Sequence, residues 1–181
     1  MKKNNLIPVA MLFFAASLTL PSVLSAQNSK NDKLIGDSKN ARAEFIKSDG
    51  LMQNLFDKSY GYVIFPNVGK GAIGVGGAAG NGILFESGRP IGSAKMKQVT
   101  VGFQFGGQAY REVIFFENKA ASDRFKQNNL EFSAQASAVA VTKGASGNVK
   151  YSDGVMIFTQ KKGGLMYEAS IGGQKFSFTP F

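Results

Sequence analysis

The 181-residue sequence contains no cysteine and no histidine. The first absence excludes a disulfide framework and a thiolate nucleophile, so stability has to come from apolar burial. The second excludes a Ser-His or Cys-His relay and any imidazole zinc site. Acidic residues are also scarce, 12 against 21 Lys and Arg. They are scattered, which leaves no acidic cluster of the kind a calcium site needs.

The carboxylates that remain make poor catalytic pairs. Glu112 and Glu117 flank one expected strand, and Asp153 and Glu168 fall in neighbouring segments near the end. Asp153-Gly154 reads more simply as a turn, and Glu168 alternates with the apolar Leu165, Tyr167 and Ala169, as a solvated position does. Gly69-Lys70-Gly71-Ala72-Ile73-Gly74 has dinucleotide-binding spacing. Further glycines follow where its helix should open, and Glu86 comes too soon for the acidic partner. The expectation is a protein without catalytic residues, metal or cofactor.

Only one long apolar run is present, Leu6 to Leu20, behind Lys2 and Lys3 and ended by Pro21. With Leu24-Ser25-Ala26 after it, the run reads as a signal peptide over 1–26, too short for a comfortable permanent span. The expected product is exported, periplasmic or secreted, and peripheral on an envelope membrane if it touches one. Removing Lys2 and Lys3 with the leader brings the formal charge from +9 to +7. Such a balance favours polyanions, and outside the cytosol nucleic acid is the poorest of these partners.

Residues 27–33 are polar and read as a disordered linker, followed by one domain over 34–181. Apolar spacing from about 31 to 47 fits an amphipathic helix carrying Leu34, Ile35, Ala41, Phe45 and Ile46 beside Lys33, Lys39, Arg42 and Lys47. Ser48-Asp49 can cap a second short helix with Leu51, Met52, Leu55 and Phe56 inward. Beyond Asp57 glycine becomes dense and aromatic and β-branched residues dominate. Strands are expected over 60–65, stopped by Pro66, then in 71–85 as two strands or one bent one, 93–105, 110–116 and 130–138. A flip of apolar phase near Lys97 points to a bulge or a change of neighbour. Asn118 is placed to cap a helix through Gln127. A last hairpin is expected around Lys161-Lys162-Gly163-Gly164, with a final strand over 175–178.

An apolar-x-apolar-Gly-Gly step recurs at Ile73–Gly77, Phe103–Gly107 and Ala169–Gly173. Strand glycines mark bends or close backbone approach. The fold class is therefore α+β, mainly β: a curved antiparallel sheet or partly closed barrel, with N-terminal helices and one inserted helix packed outside.

The basic residues give the candidate site. Lys95 and Lys97 share a strand face, Lys161 and Lys162 crown the last hairpin, and Lys70 and Arg89 lie in glycine-rich turns. Brought together they would hold an anion, with glycine amides as extra donors. Lysines that merely keep strands soluble are the competing explanation.

Four segments carry a family resemblance: Tyr60-Gly61-Tyr62-Val63-Ile64-Phe65-Pro66, the run Gly69 to Gly82, Val101 to Gln108, and Gly163 to Gln174. Together they resemble the SYLF domain family, in its bacterial exported branch, over roughly 34–178. The resemblance implies binding of acidic phospholipid, phosphoinositide in eukaryotic relatives; it transfers no residue-level site, and the basic loops and the amphipathic helix are assigned to that binding from the residues alone. One fungal branch is associated with actin filaments, which an exported bacterial chain would not ordinarily meet. The alternative is a structural or self-associating envelope protein that docks a partner through exposed strands.

Overall fold

The computed structural model describes residues 20–73, 75–101, 108–130, 132, 137–162 and 168–181. It opens with a long helix, α1 (Leu20–Ser48), and a short one, α2 (Met52–Lys58). Four long strands follow, β1 (Gly61–Ile73), β2 (Val75–Glu86), β3 (Arg89–Val101) and β4 (Gln108–Phe116). After α3 (Lys119–Lys126) come β5 (Ser137–Ala140), a 3-10 turn (Ala145–Asn148), β6 (Val155–Lys161), β7 (Glu168–Ser170) and β8 (Gln174–Pro180).

One eight-stranded sheet runs in the order β7-β5-β6-β4-β1-β2-β3-β8. It is mixed, because β5 lies parallel to β6 while the other pairs are antiparallel. It is curved without closing into a barrel, with β7 and β8 as its outer strands. The curl can be measured through side chains. Gln174 of β8 reaches Glu112 of β4 at 3.0 Å. Four strand steps separate β8 from β4. In a flat sheet they would lie about 19 Å apart.

Alternation along the strands produces two cores. Tyr62, Ile64, Ile83, Phe85, Val113, Phe115, Met156 and Phe158 face α1 and α2, against Ala41, Phe45, Met52 and Phe56. Val63, Phe65, Leu84, Met96, Ile114, Phe116, Ile157 and Phe176 line the inner face, where α3 adds Ala121 and Phe125. Phe176 is the hub of that second core, with ring contacts to Phe65, Phe125 and Phe132. Gly82 permits the tight curl. A Cβ there would stand 2.5 Å from the Ile64 carbonyl oxygen and 2.7 Å from the Phe65 ring.

Several expectations change. Positions 27–33 belong to α1, so the stretch set apart as a linker is helical; no glycine or proline interrupts it between Pro21 and Gly36. Pro66 does not end β1. It sits at a register shift against both β2 and β4, where an absent N–H costs no ladder bond. The bulge expected near Lys97 is absent, since β3 pairs with β2 without interruption from Gly92 to Val101. The apolar phase changes because buried Gln98 takes an inward position and Val99 is 69 % exposed. Leu51, expected inward, is largely exposed. Among the described residues β6 and β7 do not pair as the expected last hairpin, because β5 lies between them. Asn118 does cap α3, its side chain accepting from the Ala121 N–H at 3.0 Å. Phe103, Phe105 and their Gly-Gly step, and most of the expected strand over 130–138, lie outside the described residues.

Candidate functional site

The side of the sheet facing α1 carries the clearest chemistry. Cross-strand pairing fixes its residues: Ser93 stands opposite Ile83, Lys95 opposite Asn81, and Lys97 opposite Ala79. On the other flank, Ser177 pairs with Lys95 and Lys175 with Lys97. Lys95, Lys97 and Lys175 are all exposed, and among the described residues no carboxylate pairs with them. Along β3 the first two are about 7 Å apart, and directly opposed Cβ atoms such as those of Lys97 and Lys175 are about 5 Å apart.

α1 brings further charge to this edge. Lys30, Lys33, Asn31 and Asp37 face Asn81, Ser93 and Lys95 across a cleft of about 430 Å³. Lys30 and Lys33 are there because the next turns of the helix are anchored. Ser38, Ala41 and Phe45 are buried at successive three- and four-residue steps, and Leu34 and Ile35 pack partly beside them. The apolar stripe of α1 is thus engaged in the core, and what the helix offers outward is its polar flank.

The six residues singled out by sequence separate into groups. Lys95 and Lys97 converge. Lys162 lies on the same side of the sheet but farther along α1, its Nζ donating to Asn67 at 3.1 Å beside Arg111, Asp37 and Glu44. Lys161 is half-buried and pairs with Tyr110, whose ring belongs to the inner face. Arg89 sits at the β2–β3 turn, six strand residues or about 20 Å from Lys95. Lys70 lies within β1, opposite Ala78 and Gln108, and not in a turn. Six scattered cations therefore become one pair and four separate positions. Of the residues that complete the pair, Lys33 already stood on the basic flank of the amphipathic helix, whereas Lys175 and Lys30 had no signal of their own. Lys175 depends on the β3–β8 register, and the two helical lysines on the direction in which α1 crosses.

Nothing comparable gathers for catalysis. Glu112 is buried on the inner face, while Glu117 is exposed beyond the end of β4, five residues or about 17 Å on. Asp153 occupies a left-handed turn position and pairs with Arg124 at 2.7 Å. Among the described residues there is no cluster of three or more acidic groups suited to a metal ion, and no helix long and apolar enough to cross a membrane.

Residues 97–179 match the family model Ysc84, described as a Las17-binding protein actin regulator. The chain is also similar to Beta cell expansion factor A of Aeromonas veronii, at 33% identity over 125 residues. That alignment covers 67% of this chain and 47% of the relative, so the chain spans about half of that protein's length. The matching family is a non-enzymatic one, and membership implies a lipid-binding or actin-regulatory domain. Through the segment that builds β3 to β8, this chain belongs to the SYLF family.

Proposed function

We propose that the chain binds anionic phospholipid on the β3–β8 edge of the sheet, at Lys95, Lys97 and Lys175, with Lys30 and Lys33 of α1 alongside. One observation carries the reading. Lys97 and Lys175 are directly opposed across two strands and both exposed. Like charges at such a position are destabilising, and a bound phosphate would relieve the repulsion. An edge kept soluble by lysine gains nothing from placing two of them face to face.

The magnitude bounds the mode of binding. Each lysine near an anionic surface contributes about 1 kcal/mol, so five give about 5 kcal/mol, an affinity of about 0.2 mM. With Phe45 and Ala41 buried against the sheet, α1 adds charge more than insertion. Binding is therefore peripheral and salt-sensitive. Co-sedimentation of the chain with vesicles of neutral lipid, and with vesicles containing phosphatidylglycerol, tests this. Pelleting only with the acidic vesicles, reversed by salt, is expected; equal pelleting with both rejects it.

The same proposal places the protein outside the cytoplasm, in the periplasm or secreted. Cleavage after Ala26 would leave α1 beginning at Gln27, with the buried Ser38, Ala41 and Phe45 retained. A mature mass beginning at Gln27 in the exported fraction is the expected result. A full-length chain confined to the cytoplasm would contradict it.

Self-association through the sheet edge finds less support. The Phe178 N–H on β8 already donates to Asn128 at 2.9 Å, and Pro180 has no N–H to offer.

A further inference from the structure

Among the described residues the inner face is mostly apolar, and it buries one carboxylate, Glu112, in the middle of β4. The residue is 0 % exposed, Thr159 of β6 stands opposite it on one side, and Phe65 of β1 on the other. Its Oε2 accepts a hydrogen bond from Gln174 Nε2 of β8 at 3.0 Å. Three buried oxygens beside that bond have no partner: Glu112 Oε1, Gln174 Oε1 and Thr159 Oγ1.

An ionised carboxylate is acceptor-only, and an amide oxygen likewise accepts. With Glu112 charged, the pair therefore holds one hydrogen bond and leaves two acceptors without donors. One proton on Glu112 Oε1 changes the count. The acid O–H donates to Gln174 Oε1 while Gln174 Nε2 donates to Glu112 Oε2, so each group gives one bond and takes one.

We propose that Glu112 and Gln174 form a neutral acid–amide latch holding β8 against β4, and that loss of the Glu112 proton releases it. The surroundings agree. Burial pushes the Glu112 carboxyl up to about 7, against a smaller downward pull from the Gln174 bond. Among the described residues no neighbouring charge offsets burial at Glu112. Tyr110, two residues earlier on the same face of β4, is pushed upward by burial and then by Glu112, outweighing a contact of its hydroxyl with Gln174, and stays neutral. Lys161 of β6 stands opposite Tyr110, and Lys70 of β1 opposite Gln108. From β8 the inward groups are Gln174 and Phe176, from β3 Met96 and Gln98, and from α3 Phe125, none of them charged.

The latch lies at the start of β8. A second amide secures the same turn, Gln98 Nε2 donating to the Gly172 carbonyl at 3.0 Å. Lys175 follows Gln174 directly, so the latch also governs whether Lys175 stands opposite Lys97. That link to phospholipid rests on the function proposed above; the latch does not.

Hydrogen exchange of the full chain tests it, read on the β8 amides and corrected for intrinsic rates, at about pH 5.5 and about pH 8.5. Protection of β8 is expected to fall at least about tenfold between the two in the natural sequence, and to stay level in Glu112→Gln, which keeps an uncharged pair. The same fall in both proteins, or in neither, overturns the proposal. Infrared titration of the natural sequence gives a second reading that needs no variant. Exposed carboxyls are ionised at about pH 6, so a neutral carboxyl band persisting there reports the buried acid. Its disappearance at the midpoint of the exchange change supports the latch, and its absence at that pH rules the latch out.

Discussion

The Asp49 carboxylate accepts hydrogen bonds from both the backbone N–H and the hydroxyl of Ser146, at 2.8 and 2.7 Å, across 97 residues of chain. It also accepts from the Leu51 N–H at 3.1 Å, so one buried side chain ties the α1–α2 corner to the 3-10 turn before β6. Burial works to raise the carboxyl, and these donors outweigh it, holding Asp49 below the usual range. Asp49→Ala should cost about 2–3 kcal/mol, read from urea unfolding, because two or more charge-assisted bonds are lost. Ser146→Ala should cost less, and the double variant little more than Asp49→Ala alone. The folded value lies below the unfolded one, so this stabilisation is complete above about pH 4 and is lost as pH falls through the folded value.

Glu112 has the opposite sign. Between its ordinary 4.5 and about 7 the folded protein keeps a proton that the unfolded chain has released. Stability should therefore decline as pH rises through that window, by an amount on the order of 3 kcal/mol. Denaturation midpoints at several pH values check this. Glu112→Gln should flatten the decline while leaving the acid limb due to Asp49 in place.

On the basic edge, changing Lys95, Lys97 and Lys175 together to Gln should weaken binding to phosphatidylglycerol vesicles about a hundredfold and reduce its salt dependence. Arg89→Gln and Lys161→Gln should have little effect, since neither lies beside that cluster. Lys97→Gln alone should also raise thermal stability by a few tenths of a kcal/mol, because it removes a like-charge pair. Weaker binding together with higher stability is a combination that a purely solubilising lysine would not give.

Gly82→Ala adds one methyl where the Ile64 carbonyl and the Phe65 ring leave no room. A backbone oxygen cannot step aside cheaply, so a loss of about 1–3 kcal/mol is expected in equilibrium unfolding. Asn118→Ala, which removes the cap of α3, should cost about 1 kcal/mol.

Much of this architecture is legible in local chemistry. The aromatic and β-branched alternation of Tyr62 to Phe65 and of Val113 to Phe116 identified strands, and Asn118 announced its helix. Pro66 misled because proline normally ends a central strand, and only the facing registers of β2 and β4 show that a bulge accommodates it. The Val99 phase misled because the buried position beside it is filled by Gln98, whose amide finds a carbonyl 74 residues away. The basic edge was half legible. Lys95 and Lys97 share a face by simple alternation, whereas Lys175 joins them through a pairing that no local pattern encodes. Glu112 looked like one more strand acid until Gln174 appeared across the sheet.

The strand order carries a consequence for how the chain assembles. β3 finds its outer neighbour only when β8 arrives, after four intervening strands and a helix have been laid down. Until then Met96 and Phe65 lack the Phe176 ring that covers this side of the inner core. Closing so long a loop is entropically slow, so docking of β8 is expected to come late in folding. A chaperone that shields that unfinished margin would aid this protein more than one acting on its helices.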